Sequence, residues 1–205
     1  NSYTDFLVVT LTPEPTINLG PDQLICADQI VSLNAATTVA TSADWTTSGT
    51  GVFTSNNGLS TQYLPSNPDT TNKVFNIFAR SLNQGLCKPV TDTVKITVRA
   101  LPIVIASADQ EICADASSIV VSAALGNASS VIWTTNGSGS FSPNSSGNPV
   151  TYNVSSADAS MGTIRLYSTT TNTGVCNAQT DSLDILVNPI PIVSAGSPII
   201  CDTAL

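Results

Sequence analysis

The residues able to do chemistry in this chain are carboxylates, thiols and hydroxyls, because it contains no histidine. That absence removes His-ligated zinc, the Ser-His-Asp and Cys-His arrangements, and the usual general base near neutral pH. Asp22, Asp28, Asp109, Glu111 and Asp115 gather around Cys26 and Cys113. Calcium takes several oxygen ligands, so calcium at the domain junctions is the one metal these residues bring forward. No Asp-x-Asp-x-Asp run is present, which favours solvated acidic residues, and no cofactor is expected. Asp92 and Asp181, like Asp5, each follow a Thr at the start of an alternating segment. A structural role at the hairpin or its turn is expected for them. Glycoside hydrolysis needs two carboxylates shaped into one cleft, and nothing in the sequence groups them so. No catalytic residue is assigned, and the chain is read as a non-enzyme.

The thiols lead outward from single residues to the organisation of the chain. Cys26, Trp45, Gly49, Gly51, Phe53, Tyr63, Cys87 and Asp92 recur as Cys113, Trp133, Gly137, Gly139, Phe141, Tyr152, Cys176 and Asp181. The offset drifts only from 87 (113−26) to 89 (176−87). So long a period describes tandem domains rather than a short solenoid unit. The expected boundaries are 14–100 and 101–189 for two full repeats. Residues 1–13 are expected to be the last strand of a preceding copy, since 4–11 match Thr91–Val98 and Thr180–Val187. Residues 190–205 are expected to open a following one. Each cysteine pair falls inside one repeat, so the expected disulfides are Cys26–Cys87 and Cys113–Cys176, with Cys201 unpaired within these residues. Each such bridge stabilises a domain by about 4 kcal/mol in the chain-entropy model. Metal-binding or reactive thiols are the alternative, but lone cysteines this far apart, without histidine, do not resemble a zinc site. Disulfides imply an oxidising, extracytoplasmic compartment.

Composition narrows the partners. Net charge is −8 with only six Lys or Arg, leaving no basic patch for nucleic acid or anionic lipid. No apolar run approaches a membrane span, so no direct membrane insertion is expected of this segment, and any export signal or anchor is expected outside it. Domains this small bury marginal cores.

Alternation supplies the elements that must position these residues. Val31, Leu33 and Ala35 share one face, as do Ile119, Val121 and Ala123. Phe75, Ile77 and Ala79 correspond to Ile164, Leu166 and Ser168. Val94, Ile96 and Val98 correspond to Leu183, Ile185 and Val187, and also to Leu7, Val9 and Leu11. Period-2 patterning at matching places predicts antiparallel sheets with one buried face, about seven short strands to a domain. Ser66-x-x-Asp69 and Ser155-x-x-Asp158 predict one capped helical turn in each copy. Trp45 and Trp133 are expected in the core rather than on a sugar-binding platform, and Gly-x-Gly without a following helix is no phosphate loop. Prolines at Pro13, Pro15, Pro102, Pro189 and Pro191 mark short, stiff junctions, so the domains are expected to follow one another as an extended rod. Asn127, Asn136, Asn144 and Asn153 open Asn-x-Ser triplets, which signify only in a host that N-glycosylates. Lys73, Lys88 and Lys95 lack Lys counterparts in the second copy, against a repeat-wide isopeptide link.

The motifs Gly20-Pro21-Asp22-x-x-x-Cys26, Trp45-Thr-Thr-x-Gly-x-Gly-x-Phe53, Tyr63-x-Pro65-Ser66-x-x-Asp69 and Asp92-Thr-Val-x-Ile resemble the PKD/Ig-like repeats of very large Bacteroidetes surface proteins. The nearest type is that of the gliding-motility adhesins of the SprB kind. The resemblance implies tandem Ig-like/PKD-like β-sandwiches, type IX secretion, and an extracellular location at the outer membrane-associated cell surface. It further implies an adhesive stalk that takes part in gliding and surface attachment, its partners being neighbouring repeats of the same chain and an external surface or polysaccharide. Asp-Ser/Thr before an apolar residue or Thr resembles the O-glycosylation sequon of that phylum, at Thr70, Thr93, Ser182 and Thr203. The alternative function is a carbohydrate-binding module of a secreted protein, with Phe78 and Tyr167 as its aromatic shelf.

Overall fold

Apolar residues at every second position form the two longest strands of each repeat. In the computed structural model, which describes residues 3–194 and 196, the first copy runs through nine strands and one helical turn. They are β1 (Thr16–Asn18), β2 (Gln23–Cys26), β3 (Val31–Asn34), β4 (Ala36–Thr38), β5 (Ser42–Thr47), β6 (Val52–Phe53), β7 (Ser60–Leu64), α1 (Asn67–Asn72), β8 (Val74–Leu82) and β9 (Thr91–Arg99). The second copy repeats that order: β10 (Ile103–Ala106), β11 (Gln110–Cys113), β12 (Ser118–Val121), β13 (Ala123–Gly126), β14 (Ser130–Thr135), β15 (Ser140–Ser142), β16 (Val150–Asn153), α2 (Ser156–Met161), β17 (Thr163–Thr171) and β18 (Thr180–Asn188). Two compact units result. One joins Asn1–Leu101 to Gly174–Asn177; the other holds Pro102–Thr173 and Ala178–Leu205.

Each copy packs a four-stranded sheet, in the order β2-β9-β8-β5 or β11-β18-β17-β14, with a three-stranded one, β3-β7-β6 or β12-β16-β15. A two-stranded ribbon, β1-β4 or β10-β13, completes it. Phe75, Ile77, Val94, Ile96 and Val98 are buried between the layers with Val31, Leu33, Trp45 and Tyr63. Ile164, Leu166, Leu183, Ile185 and Val187 do the same in the second copy, with Val121, Trp133 and Tyr152. Full burial of each large apolar side chain contributes about 1.5–3 kcal/mol. Within the two copies the alternation expected from the sequence thus sets the buried faces, and of those positions Ile119 alone is left partly covered.

Two features differ from the expectation of about seven antiparallel strands. The first strand is split: after β1, Gly20 takes φ 79°, a left-handed turn that glycine adopts without strain, and Pro21 follows. The chain thereby crosses to the other sheet without reversing. So β2 runs parallel to β9, with Gln23 opposite Ile96 and Cys26 opposite Arg99; in the second copy, where Ser107 and Ala108 stand in place of Gly20 and Pro21, β11 likewise runs parallel to β18. Each four-stranded sheet is mixed. Residues 4–11, in contrast, form no strand, and Leu7, Val9 and Leu11 are 89%, 70% and 88% exposed. Their counterparts Val94, Ile96 and Val98 lie in the core.

Candidate functional site

The most elaborate side-chain constellation in each copy is a buried aspartate. Ser66 caps α1 in extended geometry, and its hydroxyl accepts from the Asp69 N–H while the Asp69 carboxylate accepts from the Ser66 N–H, a capping box. The carboxylate does more than cap. It accepts the Tyr63 hydroxyl at 2.7 Å, the Thr50 N–H at 2.8 Å and the Gly51 N–H at 2.9 Å. In the second copy Asp158 accepts from Tyr152 Oη at 2.8 Å, Ser138 N at 2.6 Å and Ser155 N at 3.0 Å. Burial alone would raise these carboxyls, but the hydrogen bonds outweigh it and hold both below the usual carboxylate range. Burial, followed by the bond to Asp69, raises Tyr63; burial raises Tyr152 as well.

The Gly-x-Gly turn is what lets the backbone reach this knot. A Cβ on Gly49 would stand 2.5 Å from Tyr63 Oη and 2.6 Å from Asp69 Oδ1. One on Gly51 would overlap the Leu64 carbonyl, and one on Gly139 the Asn153 carbonyl. Phe53 and Phe75 tilt against the Tyr63 ring at centroid distances of 4.9 and 5.1 Å. The arrangement binds a turn, a helix and a strand end to one another. Both carboxylates are enclosed by it, Asp69 being 3% and Asp158 0% exposed.

The remaining recurring residues also enter the scaffold. Trp45 is 1% exposed and its Nε1 donates to Gly58 O at 2.7 Å; Trp133 does the same to Gly147 O at 3.1 Å. Asp92 accepts from Leu19 N and Asp181 from Ala106 N, so each ties the β1–β2 or β10–β11 crossing rather than the hairpin. Asp22 and Asp109 accept from Lys95 N and Asp184 N on the neighbouring strand. Asp28, Glu111 and Asp115 are exposed. Among the described residues no three such groups converge as metal ligands. Arg165 grips Asp184 with two 2.7 Å contacts on the exposed face of the β17–β18 pair.

The disulfide corrects the expected pairing. Cys26 is bonded to Cys176, with Cα atoms 5.1 Å apart, while Cys87 and Cys113 are free thiols. The parallel strand explains why Cys26–Cys87 does not form. Cys26 lies opposite Arg99, the last residue of β9, whereas Cys87 sits in the loop before its first, Thr91. Nine residues rising about 3.3 Å each separate those ends by about 26 Å, far beyond the roughly 7 Å limit for a bridge. Cys113 and Cys176 stand in the same relation to β18. The loop bearing Cys176, Gly174–Asn177, clusters with the first unit.

Two of the hydroxyls and the aromatic shelf share the outer face. Thr93 and Ser182 are exposed, and each lies directly across the strand pair from an aromatic ring, Phe78 and Tyr167, both half-buried. Thr70 is half-buried and donates to Asn67 O. Cys201 and Thr203 lie outside the described residues.

The strand pairing defines tandem Ig-like β-sandwiches. No family model matches the sequence, and no curated protein matches it. Among solved structures, the chain is similar to the insect immune protein hemolin: 15% identity, covering 86% of this chain and 47% of that one, TM-score 0.45. It is similar also to the I67–I69 I-band fragment of titin, at 14% identity, covering 87% and 67%, TM-score 0.45. The fibronectin(III)-like modules of Clostridium thermocellum CbhA give 14% identity, covering 90% and 100%, TM-score 0.40. The chain spans about half the length of the hemolin structure.

Proposed function

We propose that the chain is a structural and adhesive stalk segment of a long, repetitive bacterial cell-surface adhesin, carried outside the cell and serving attachment and gliding. One observation carries this reading. Apart from the free thiols Cys87 and Cys113, the residues that recur between copies serve the two cores, the aspartate knots, the Asp92 and Asp181 ties and the Cys26–Cys176 bridge, so what is duplicated is a building unit. The motifs of Bacteroidetes surface repeats, with export by the type IX route, agree with it. A disulfide persists in oxidising compartments, which suits an extracellular location. No helix among the described residues is long and apolar enough to cross a membrane. The unpaired segment 4–11, matching β9 and β18 yet exposed along its apolar positions, supports a preceding copy. On this reading the chain is no enzyme and needs no cofactor. Thr70, Thr93, Ser182 and Thr203 are the O-glycosylation candidates.

The half-buried rings of Phe78 and Tyr167, flanked across their strands by Thr46 and Thr93 or by Thr134 and Ser182, favour a second reading as a carbohydrate-binding module. A glycan array probed with the purified chain separates the two. The stalk reading expects no glycan bound above background. Saturable binding to one glycan class, abolished by Phe78→Ala or Tyr167→Ala, would replace it with the module reading.

A further inference from the structure

The bridge joins the first cysteine of one copy, Cys26, to the second cysteine of the next, Cys176. The two free cysteines, Cys113 and Cys87, occupy those same two positions in the repeat, and their settings duplicate the bridged ones. Cys26 ends β2 opposite Arg99, with Ala27 N donating to Arg99 O at 2.9 Å and Gln29 N to Cys26 O at 3.0 Å. Cys113 ends β11 opposite Asn188, with Ala114 N donating to Asn188 O at 2.8 Å and Ala116 N to Cys113 O at 2.9 Å. The second-position loops match too: Asn172 and Gly174 take φ 54° and 68°, and Asn83 and Gly85 take 60° and 69°.

The seats of the sulfurs correspond as well. Cys176 Sγ lies 3.6 Å from Ala100 O, and Cys87 Sγ lies 3.8 Å from Pro13 O. Pro13 precedes Ala100 by 87 residues (100−13), the repeat offset at that point. Cys87 therefore already rests where the last strand of a preceding copy would end. What differs is cover. Cys26 and Cys176 are 0% and 5% exposed, whereas Cys113 is exposed and Cys87 half-buried. Leu86, beside Cys87, is 106% exposed, while its counterpart Val175 is 39% exposed.

We infer that Cys113 and Cys87 are the halves of two further bridges of the same kind. Cys113 takes the second-position cysteine of a following copy, and Cys87 takes the first-position cysteine of a preceding one. The bridges then run from each copy to the next throughout the array, never within a copy. This inference rests on the tandem-array reading given above. Each bond forms as two thiols give up two protons and two electrons. The electrons pass, through a mixed disulfide, to the active-site disulfide of a thiol oxidoreductase, which leaves as the dithiol.

Disulfide mapping of the protein isolated from its native cells tests this, with free thiols alkylated before unfolding and the digest left unreduced. The expected result is a Cys113 peptide linked to a second-position loop of a further copy, and a Cys87 peptide linked to a further first-position strand. Alkylated Cys113 and Cys87 would overturn the inference, as would links to each other or to Cys176 and Cys26. The sequences flanking these residues tell the two failures apart. Flanking copies with alkylated thiols refute the bridges alone, whereas no flanking copy refutes the array and the bridges together.

Discussion

A buried carboxylate is worth keeping only where its hydrogen bonds exceed the cost of desolvation, and Asp69 and Asp158 meet that condition with backbone and tyrosine donors. Asp69→Asn removes the charge from a site built of donors and turns one of its oxygens into a competing donor. The variant is expected to lose about 2–4 kcal/mol of stability at neutral pH by urea unfolding. Tyr63→Phe, which leaves Asp69 short of one donor, is expected to lose about 1–3 kcal/mol in the same measurement. The sign with pH follows from the depressed carboxyls. Their contribution is complete above the unfolded carboxyl range, near pH 3.9, and is lost as pH falls through the lower folded value. Urea midpoints of wild type and the Asp69→Asn, Asp158→Asn double variant should therefore converge in strong acid. A gap that stays constant down to that range would show that the carboxylate charge plays no part.

At the scale of elements, the knot depends on a turn that must pass without side chains. Gly51→Ala would place a methyl against the Leu64 carbonyl and the Tyr63 ring, and neither backbone nor packed aromatic can yield cheaply. A loss of about 1–3 kcal/mol is expected, with a lower thermal midpoint. Trp133→Ala, which empties the centre of the second core, is expected to cost about 3–5 kcal/mol. These elements were largely legible in the sequence, because alternation in segments such as Phe75–Ala79 and Leu183–Val187 names the buried face without knowledge of the partner strand. The capped turn after Ser66 was legible as a cap, yet Asp69's larger role was not. The hint available was the joint recurrence of Gly-x-Gly, Tyr and Asp at fixed spacing. The parallel placement of β2 was hidden for a different reason. Gln23–Cys26 is four residues long with no clean alternation, and its partner is about seventy residues away in sequence. Shared repeat membership therefore carries no information on the strand length that separates the cysteines.

For the whole molecule, the consequence of that strand is that the covalent link spans 150 residues and joins one sequence copy to the next. Constraining so long a loop stabilises by about 5 kcal/mol in the chain-entropy model, an upper bound. Cys26→Ser is expected to lower the thermal midpoint and to release the loop bearing Cys176 to proteases, while Cys113→Ser leaves both unchanged in this chain. The most direct measurement is unreduced peptide mass spectrometry of the alkylated 205-residue chain after oxidative folding. A Cys26–Cys176 cross-linked peptide, with Cys87 and Cys113 alkylated, is the predicted result. Cys26–Cys87 and Cys113–Cys176 peptides would contradict the account, since both require bridges across the full length of β9 and β18.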